Sequence, residues 1–338
     1  DREYANLLTR KTGSIMNDHV LSEYNTCLDI AKRKYEEKFR CIREINTDNL
    51  NQNAVSYEVT KDVLTSLYEL VIEKVAYIDR DSISKYENKN YWFEKLAIMQ
   101  ASAFVAPTAF AADVTKKLFG LARKNVNVKV VYNGLDLNAF KNDSPLLYEK
   151  GLILYVGTII RKKGVLELPA IFNKVRETIP EARLVLIGSD SFDIQTQSLS
   201  TWELLKKEFE EEDLEQVSYL GKMSYDNVQE YIRKANVCVF PSFAETFGMV
   251  TIEAMAMQKP VVSNDFGWSQ ELIVSGQNGF LVHPKKHTDF AKTIVTLLED
   301  EHLCEKIGAA ARHRVESIFD IQQIVQQNVD FYESIISK

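Results

Sequence analysis

At 338 residues, with 45% apolar and 26% charged side chains, the chain is long enough for two domains and has the make-up of an ordinary globular protein. Its formal charge of -7 gives no long-range attraction for nucleic acid, so a nucleic-acid partner is not expected. Cys27, Cys41, Cys238 and Cys304 show no C-x-x-C spacing, which argues against a zinc site or a disulfide framework and for a reducing compartment.

No apolar run approaches the ~18–20 residues of a membrane span, and the N-terminus does not read as a signal peptide. The expected location is cytoplasmic. The chain opens at Asp1 without a Met, as a fragment or a trimmed chain would.

The first hundred residues read as helical. Tyr24, Leu28, Ala31, Tyr35 and Phe39 recur at intervals of three to four, with charges opposite. A second apolar stripe holds Val59, Val63, Leu67, Tyr68 and Val71, after an Asn-rich break at 46–53. Helix packing is the plain explanation of both. A helix over 91–100 then leads to a short strand at 103–106, a helix over 109–118 and a strand over 126–132. Alternation of this kind argues for a parallel sheet. Asn142-Asp143-Ser144-Pro145 is turn-rich and reads as an interdomain linker.

Past the linker, strands are expected at 152–156, 183–187, 217–220, 237–240, 260–263 and 279–282. Helices are expected from Gly164 to about Thr178 and over 202–211 and 225–235, then up to about Met257. Further helices fall at 270–274, 289–299, 303–318 and 321–336.

In an open parallel sheet, ligands bind beyond the carboxyl ends of the strands. Three segments fall there. Gly157-Thr158-Ile159-Ile160-Arg161-Lys162-Lys163-Gly164 joins a strand to a helix and offers glycines, outward amides and cations to a diphosphate. It is neither a Walker A loop nor G-x-G-x-x-G, and a solvated basic turn is the alternative. The run Pro241–Met249 places Glu245 in a loop and Glu253 two turns into a nearly apolar helix. Carboxylates accept hydrogen bonds from vicinal hydroxyls, so two of them suit a ribose and a second sugar. Between them, the amides of Phe247, Gly248 and Met249 stand at a helix N-terminus, where the dipole favours phosphate. Asp265-Phe266-Gly267-Trp268-Ser269-Gln270-Glu271 faces the same edge, and a simple turn explains it equally well. Gly188, closing the second strand of this half, borders the edge as well.

With these residues in view, the chain from about Ala101 onward resembles the family 4-type glycosyltransferases of the GT-B fold. Glu245 and Glu253 reproduce that family's E-x7-E spacing within P-S-x-x-E-x-F-G-x-x-x-x-E-A-M-A. Val156-Gly157 with Lys163-Gly164, Tyr219-Leu220-Gly221, Asn278–Val282 and Tyr132-Asn133-Gly134-Leu135-Asp136 add to the likeness. The resemblance implies an α/β fold of two Rossmann-like domains, each with a parallel sheet, here with an atypical, helix-rich first domain. Residues 1–145 would form the acceptor-side domain and 146–318 the donor domain, with the helix 319–338 crossing back.

The implied activity is transfer of a sugar from a UDP-, GDP- or ADP-sugar, with retention of anomeric configuration, no metal and no other cofactor. Glu245 would contact the donor sugar, Glu253 the ribose, and Lys163 the diphosphate, beside Gly157, Thr158 and the amides of Phe247, Gly248 and Met249. The acceptor would be a glycan, glycolipid or protein, and the N-terminal region would make any membrane or partner contact.

Two departures stand out. Thr158 occupies the position where the family often has Arg, a role Arg161 would have to take. The N-terminal part lacks the family's opening strand, Gly-rich loop and catalytic-site His; His19 is the sole His before the linker, and His283, His287, His302 and His313 read as structural or solvated. Two other readings stay open: a non-catalytic nucleotide-sugar-binding partner subunit, and a sugar-nucleotide epimerase, against which the Glu245–Glu253 spacing speaks.

Overall fold

The computed structural model describes residues 103–119 and 128–336. By contacts the chain divides after Ile98, and Met99–Lys338 forms one unit. That unit starts ahead of the 142–145 linker where the sequence suggests a boundary. The helices expected around Tyr24, Val59 and Tyr91, and His19, lie outside the described residues.

Strand β1 (Phe104–Ala106) leads into helix α1 (Ala109–Leu118), and β2 (Val128–Val130) pairs with β1 in parallel. Thr108 caps α1: its side chain accepts from the Ala111 amide.

The second half is built on six parallel strands. They are β3 (Leu152–Val156), β4 (Arg183–Ile187), β5 (Val217–Tyr219), β6 (Val237–Phe240), β7 (Val261–Ser263) and β8 (Phe280–Leu281). Their spatial order is β5-β4-β3-β6-β7-β8. Chain order therefore reverses between β3 and β6, the switch point at which doubly wound sheets open a ligand crevice.

Both sheet faces are covered, which is why its strands are apolar on both sides. On one face Leu152, Leu154, Cys238, Phe240 and Val261 pack with α6 (Met249–Ala256) and α9 (Glu301–Ile318). On the other, Ile153, Tyr155, Leu184, Leu186 and Val239 pack with α2 (Leu168–Arg176) and α8 (His287–Glu299). Each such buried side chain contributes about 1.5–3 kcal/mol relative to exposure.

Shorter helices α3 (Thr201–Lys206), α4 (Glu211–Leu214), α5 (Tyr225–Lys234) and α7 (Ser269–Leu272) fill the connections, and α10 (Ile321–Ile336) ends the description.

Two expected helices differ in detail. The stretch 202–211 is broken, because Lys207 and Glu208 make tight i−3 bonds that end α3. Phe209 then turns inward onto Phe172, ring centroids 6.1 Å apart. After Gly164 the chain first makes a 3-10 turn, Val165–Glu167, and the α-helix begins at Leu168 with Pro169 in its opening positions.

The start of α10 returns to the Asn133-Gly134-Leu135 segment. Leu135 donates to the Phe319 carbonyl and accepts from Ile321. A Cβ on Gly134 would come within 2.8 Å of the Ile321 Cα, so the pair fits only with glycine there.

Candidate functional site

The loops leaving β3 and β6 flank the switch point, and they are pressed together. Gly164 adopts a left-handed backbone (φ 67°), and a Cβ there would stand 1.8 Å from the Pro241 carbonyl oxygen. This approach lets the Phe243 and Ala244 amides donate to the Lys162 carbonyl at 2.8 and 3.2 Å. The consequence is chemical. Lys163, on the short turn Arg161–Lys163, forms an ion pair with Glu245 from the neighbouring loop.

Both partners are only half-buried, so the pair remains in contact with solvent. Burial and then the adjacent Lys162 lower the Lys163 ammonium from its ordinary value. Glu245 supplies the nearby counter-charge.

Gly248 precedes α6 in a left-handed conformation (φ 89°), which swings the backbone round ahead of the helix. The Phe247, Gly248 and Met249 amides therefore precede the first full turn and have no i−4 carbonyl within the helix. A positive helix end is thus set close to Lys163 and Glu245.

Two turns on, Glu253 is buried and accepts from the Tyr225 hydroxyl at 2.9 Å. Burial raises its pKa, while the Tyr225 bond works the other way by favouring the ionised form. Tyr225 itself is pushed up beyond the usual phenol range by burial and by the Glu253 charge.

Thr158 is exposed on the β3 loop, beside Gly157, whose amide donates to the Ile187 carbonyl at 2.8 Å. Gly188 links the neighbouring loops: its amide donates to Gly221, and its carbonyl accepts from the Tyr219 hydroxyl at 2.9 Å.

Arg161 is placed differently from the sequence expectation that it stands in for a phosphate-binding arginine. Its guanidinium makes two 2.8 Å bonds to Asp193, which is buried and also accepts from Thr196. These bonds hold the Asp193 carboxyl well below the ordinary carboxylate range. The pair takes the Nε and Nη2 face of the guanidinium, so a phosphate contact by Arg161 would fall to its remaining N–H groups. Arg161, Lys162, Phe192, Ile194 and Phe243 border a cavity of about 530 Å3 on this side.

A second cavity, of about 550 Å3, lies between Val131, Tyr132 and Asn133 on one wall and Met249, Ile324 and Asn328 on the other.

Sequence reading missed Asp193, Tyr225 and Thr108. Thr108 carries a legible signal, a Thr just before a helix, yet that signal says nothing of its contact with Thr246, described below. His287 bonds Glu167 at 2.6 Å and His283 packs on Phe266, while His302 and His313 are exposed.

A doubly wound sheet with a cation, a carboxylate and a helix N-terminus gathered at its switch point is an α/β fold of the GT-B class. The model of the family described as Glycosyl transferases group 1 matches residues 138–314, and the chain belongs to that family.

The capsular polysaccharide biosynthesis glycosyltransferase CapM of Staphylococcus aureus is 28% identical over 270 residues, covering 73% of this chain and 66% of CapM. Sucrose-phosphate synthase from Thermosynechococcus elongatus superposes with a TM-score of 0.63 at 26% identity, over 74% of this chain and 62% of that one. Anabaena Alr3699/HepE in complex with UDP gives 0.60 at 25% identity, over 71% and 65%. The chain spans less than two thirds of each relative. Among the described residues, no helix is long and apolar enough to cross a membrane.

Proposed function

We propose that the chain transfers a sugar from a nucleoside-diphosphate sugar to an acceptor, with retention of anomeric configuration and without a metal ion. The observation that carries the reading is the contact of Lys163 with Glu245 across the β3/β6 switch point. Each group is then half of a ligand site. The diphosphate takes Lys163 and the Phe247, Gly248 and Met249 amides, and donor sugar hydroxyls take Glu245.

Glu253, whose ionised form the Tyr225 hydrogen bond favours, accepts from the ribose hydroxyls. Gly157, Thr158 and Gly188 border the nucleotide, and Arg161 acts through Asp193 by holding the β3 loop in place. As the nucleoside diphosphate departs, negative charge grows on its phosphate. A fixed cation and fixed amides stabilise that charge without reorganising, an effect typically of several kcal/mol. The cavity beside Met249 lies where an acceptor glycan, glycolipid or protein residue would approach. Retention and the absence of metal come from the family resemblance, and UDP, bound by the Anabaena relative, is the first nucleotide to try.

The test is turnover of UDP-, GDP- and ADP-sugars by the purified chain, with product anomers assigned by NMR. Slow hydrolysis or transfer that yields the donor's own anomer is expected. Tight donor binding with no cleavage would identify a partner subunit instead, and an epimerised donor would overturn the transferase reading.

A further inference from the structure

The Asp265–Glu271 segment, set beside the site by its sequence, has a use that the proposed chemistry leaves unclaimed. Thr108 is fully buried, and its hydroxyl does two things at once. It caps α1 by accepting from the Ala111 amide at 3.0 Å, and it donates to the Thr246 carbonyl at 2.8 Å, 138 residues away. Next to it, the Glu271 carboxylate accepts from the Ala109 and Phe110 amides at 2.8 and 2.9 Å.

The first turn of α1 is thus satisfied by a side chain of α7, the short helix that follows β7. Glu271 is fixed in its turn, since its backbone carbonyl accepts from Arg314 at 2.7 Å. The Phe110 ring lies 5.8 Å from that of Trp268, and the buried Trp268 indole fits beside Gly248. One contact therefore ties the start of α1 to the turn between Glu245 and Glu253, and two more tie it to the Trp268–Glu271 segment, whose Trp268 packs beside Gly248 of that turn.

That turn is sensitive to such a clamp. In a trans peptide the carbonyl and the next N–H point in opposite directions in one plane. Holding the Thr246 oxygen therefore sets the direction of the Phe247 N–H, which faces away from Thr108. We propose that Thr108 and Glu271 are positioning residues for sugar transfer: Thr108 aims the Phe247 amide at the donor diphosphate, and Glu271 holds α1 where Thr108 can do so.

The proposal rests on the donor-binding reading above. It assigns the segment around α1 an active part in the donor site and makes Thr108 worth more than a helix cap.

The experiment compares Thr108→Val, Thr108→Ser and Glu271→Gln with the wild type. It measures UDP affinity by calorimetry, kcat and KM for donor hydrolysis, and melting temperature. Thr108→Val is expected to lower kcat by roughly tenfold or more, because aligned charge stabilisation is lost mainly in the transition state. KM and UDP affinity should change far less. Thr108→Ser keeps both hydrogen bonds and should restore kcat, and Glu271→Gln, which exchanges one acceptor oxygen for a donor, should fall between.

A Thr108→Val protein with wild-type kcat and only a lowered melting temperature would reduce Thr108 to a cap and overturn the proposal alone. So would a Thr108→Ser protein as impaired as the valine variant. A wild type that neither binds UDP nor cleaves a donor would sink the functional reading first, and this proposal with it.

Discussion

Lys163 and Lys259 are both withdrawn from water in the same sheet, at opposite ends of its strands, and they are used in opposite ways. Lys163, after β3, meets a carboxylate that is itself partly exposed. Lys259, just before β7, is almost fully buried, donates to the Pro145 carbonyl at 3.3 Å and lies over the Tyr148 ring. Among the described residues it has no carboxylate partner. Burial drops its pKa to about 8. Its neighbours Cys238 and Cys304, raised to about 12 and about 11 by burial, stay neutral around it.

At the amino edge a charge is tolerated in order to tie down the turn-rich 142–148 connection. At the carboxyl edge a charge is paired with a partly exposed carboxylate, where the proposed function places the donor diphosphate. On the proposed function, the contrast is between a lysine of structure and a lysine of function.

The comparison can be broken most severely at Lys163. Lys163→Ala is expected to lower donor turnover by about 10²–10³ while the melting temperature moves only a few degrees. Loss of folding with normal specific activity would make it structural.

The next effect is on the loop that carries it. Gly164→Ala demands a Cβ 1.8 Å from the Pro241 oxygen at a φ that side chains rarely adopt, so several kcal/mol of stability should go. Chemical denaturation measures it, and an unchanged midpoint would refute the packing of the two loops.

Lys259→Met should do the reverse of a typical core substitution and raise stability at pH 7, by at most about 3 kcal/mol. The sign follows from linkage. Between about 8 and the ordinary 10.5 the unfolded chain binds more protons than the folded one, so wild-type stability rises with pH across that window. The advantage of the variant should therefore shrink from pH 8 upward. A gap that stays constant to pH 10 would contradict the assignment.

The smallest expected effect sharpens the Glu253 role. Tyr225→Phe removes the hydrogen bond that favours the ionised carboxylate, so the Glu253 pKa rises further. The acid limb of UDP binding should move to higher pH, with little change at alkaline pH. Calorimetry across pH reads it, and an unmoved limb would separate Glu253 from the nucleotide.

Much of this was legible in the sequence because it is local. Strands 152–156 and 237–240, and 183–187 after its leading Arg183, are continuous apolar runs, and they form as read. The meeting of Lys163 and Glu245, 82 positions apart, was legible only indirectly, through the rule that ligands sit at strand carboxyl ends.

Contacts that depend on one side chain finding another across a loop were not legible. Arg161 reads as a free cation until Asp193, 32 residues on within a featureless polar stretch, takes its Nε and Nη2 donors. The helix expected at 202–211 fails for a tertiary reason, since burying Phe209 against Phe172 outweighs one more helical turn. Thr108 announces a helix start, and nothing local could tell that its hydroxyl reaches Thr246.

Titration of UDP into the wild type, Glu253→Ala and Lys259→Met, followed by calorimetry, puts the account at most direct risk. A saturable heat with the wild type is expected, weakened tenfold or more by Glu253→Ala through loss of a charged hydrogen-bond acceptor and unaffected by Lys259→Met. Equal affinity in the wild type and the Glu253 variant, or a loss confined to Lys259→Met, would place the nucleotide somewhere other than the crevice between β3 and β6.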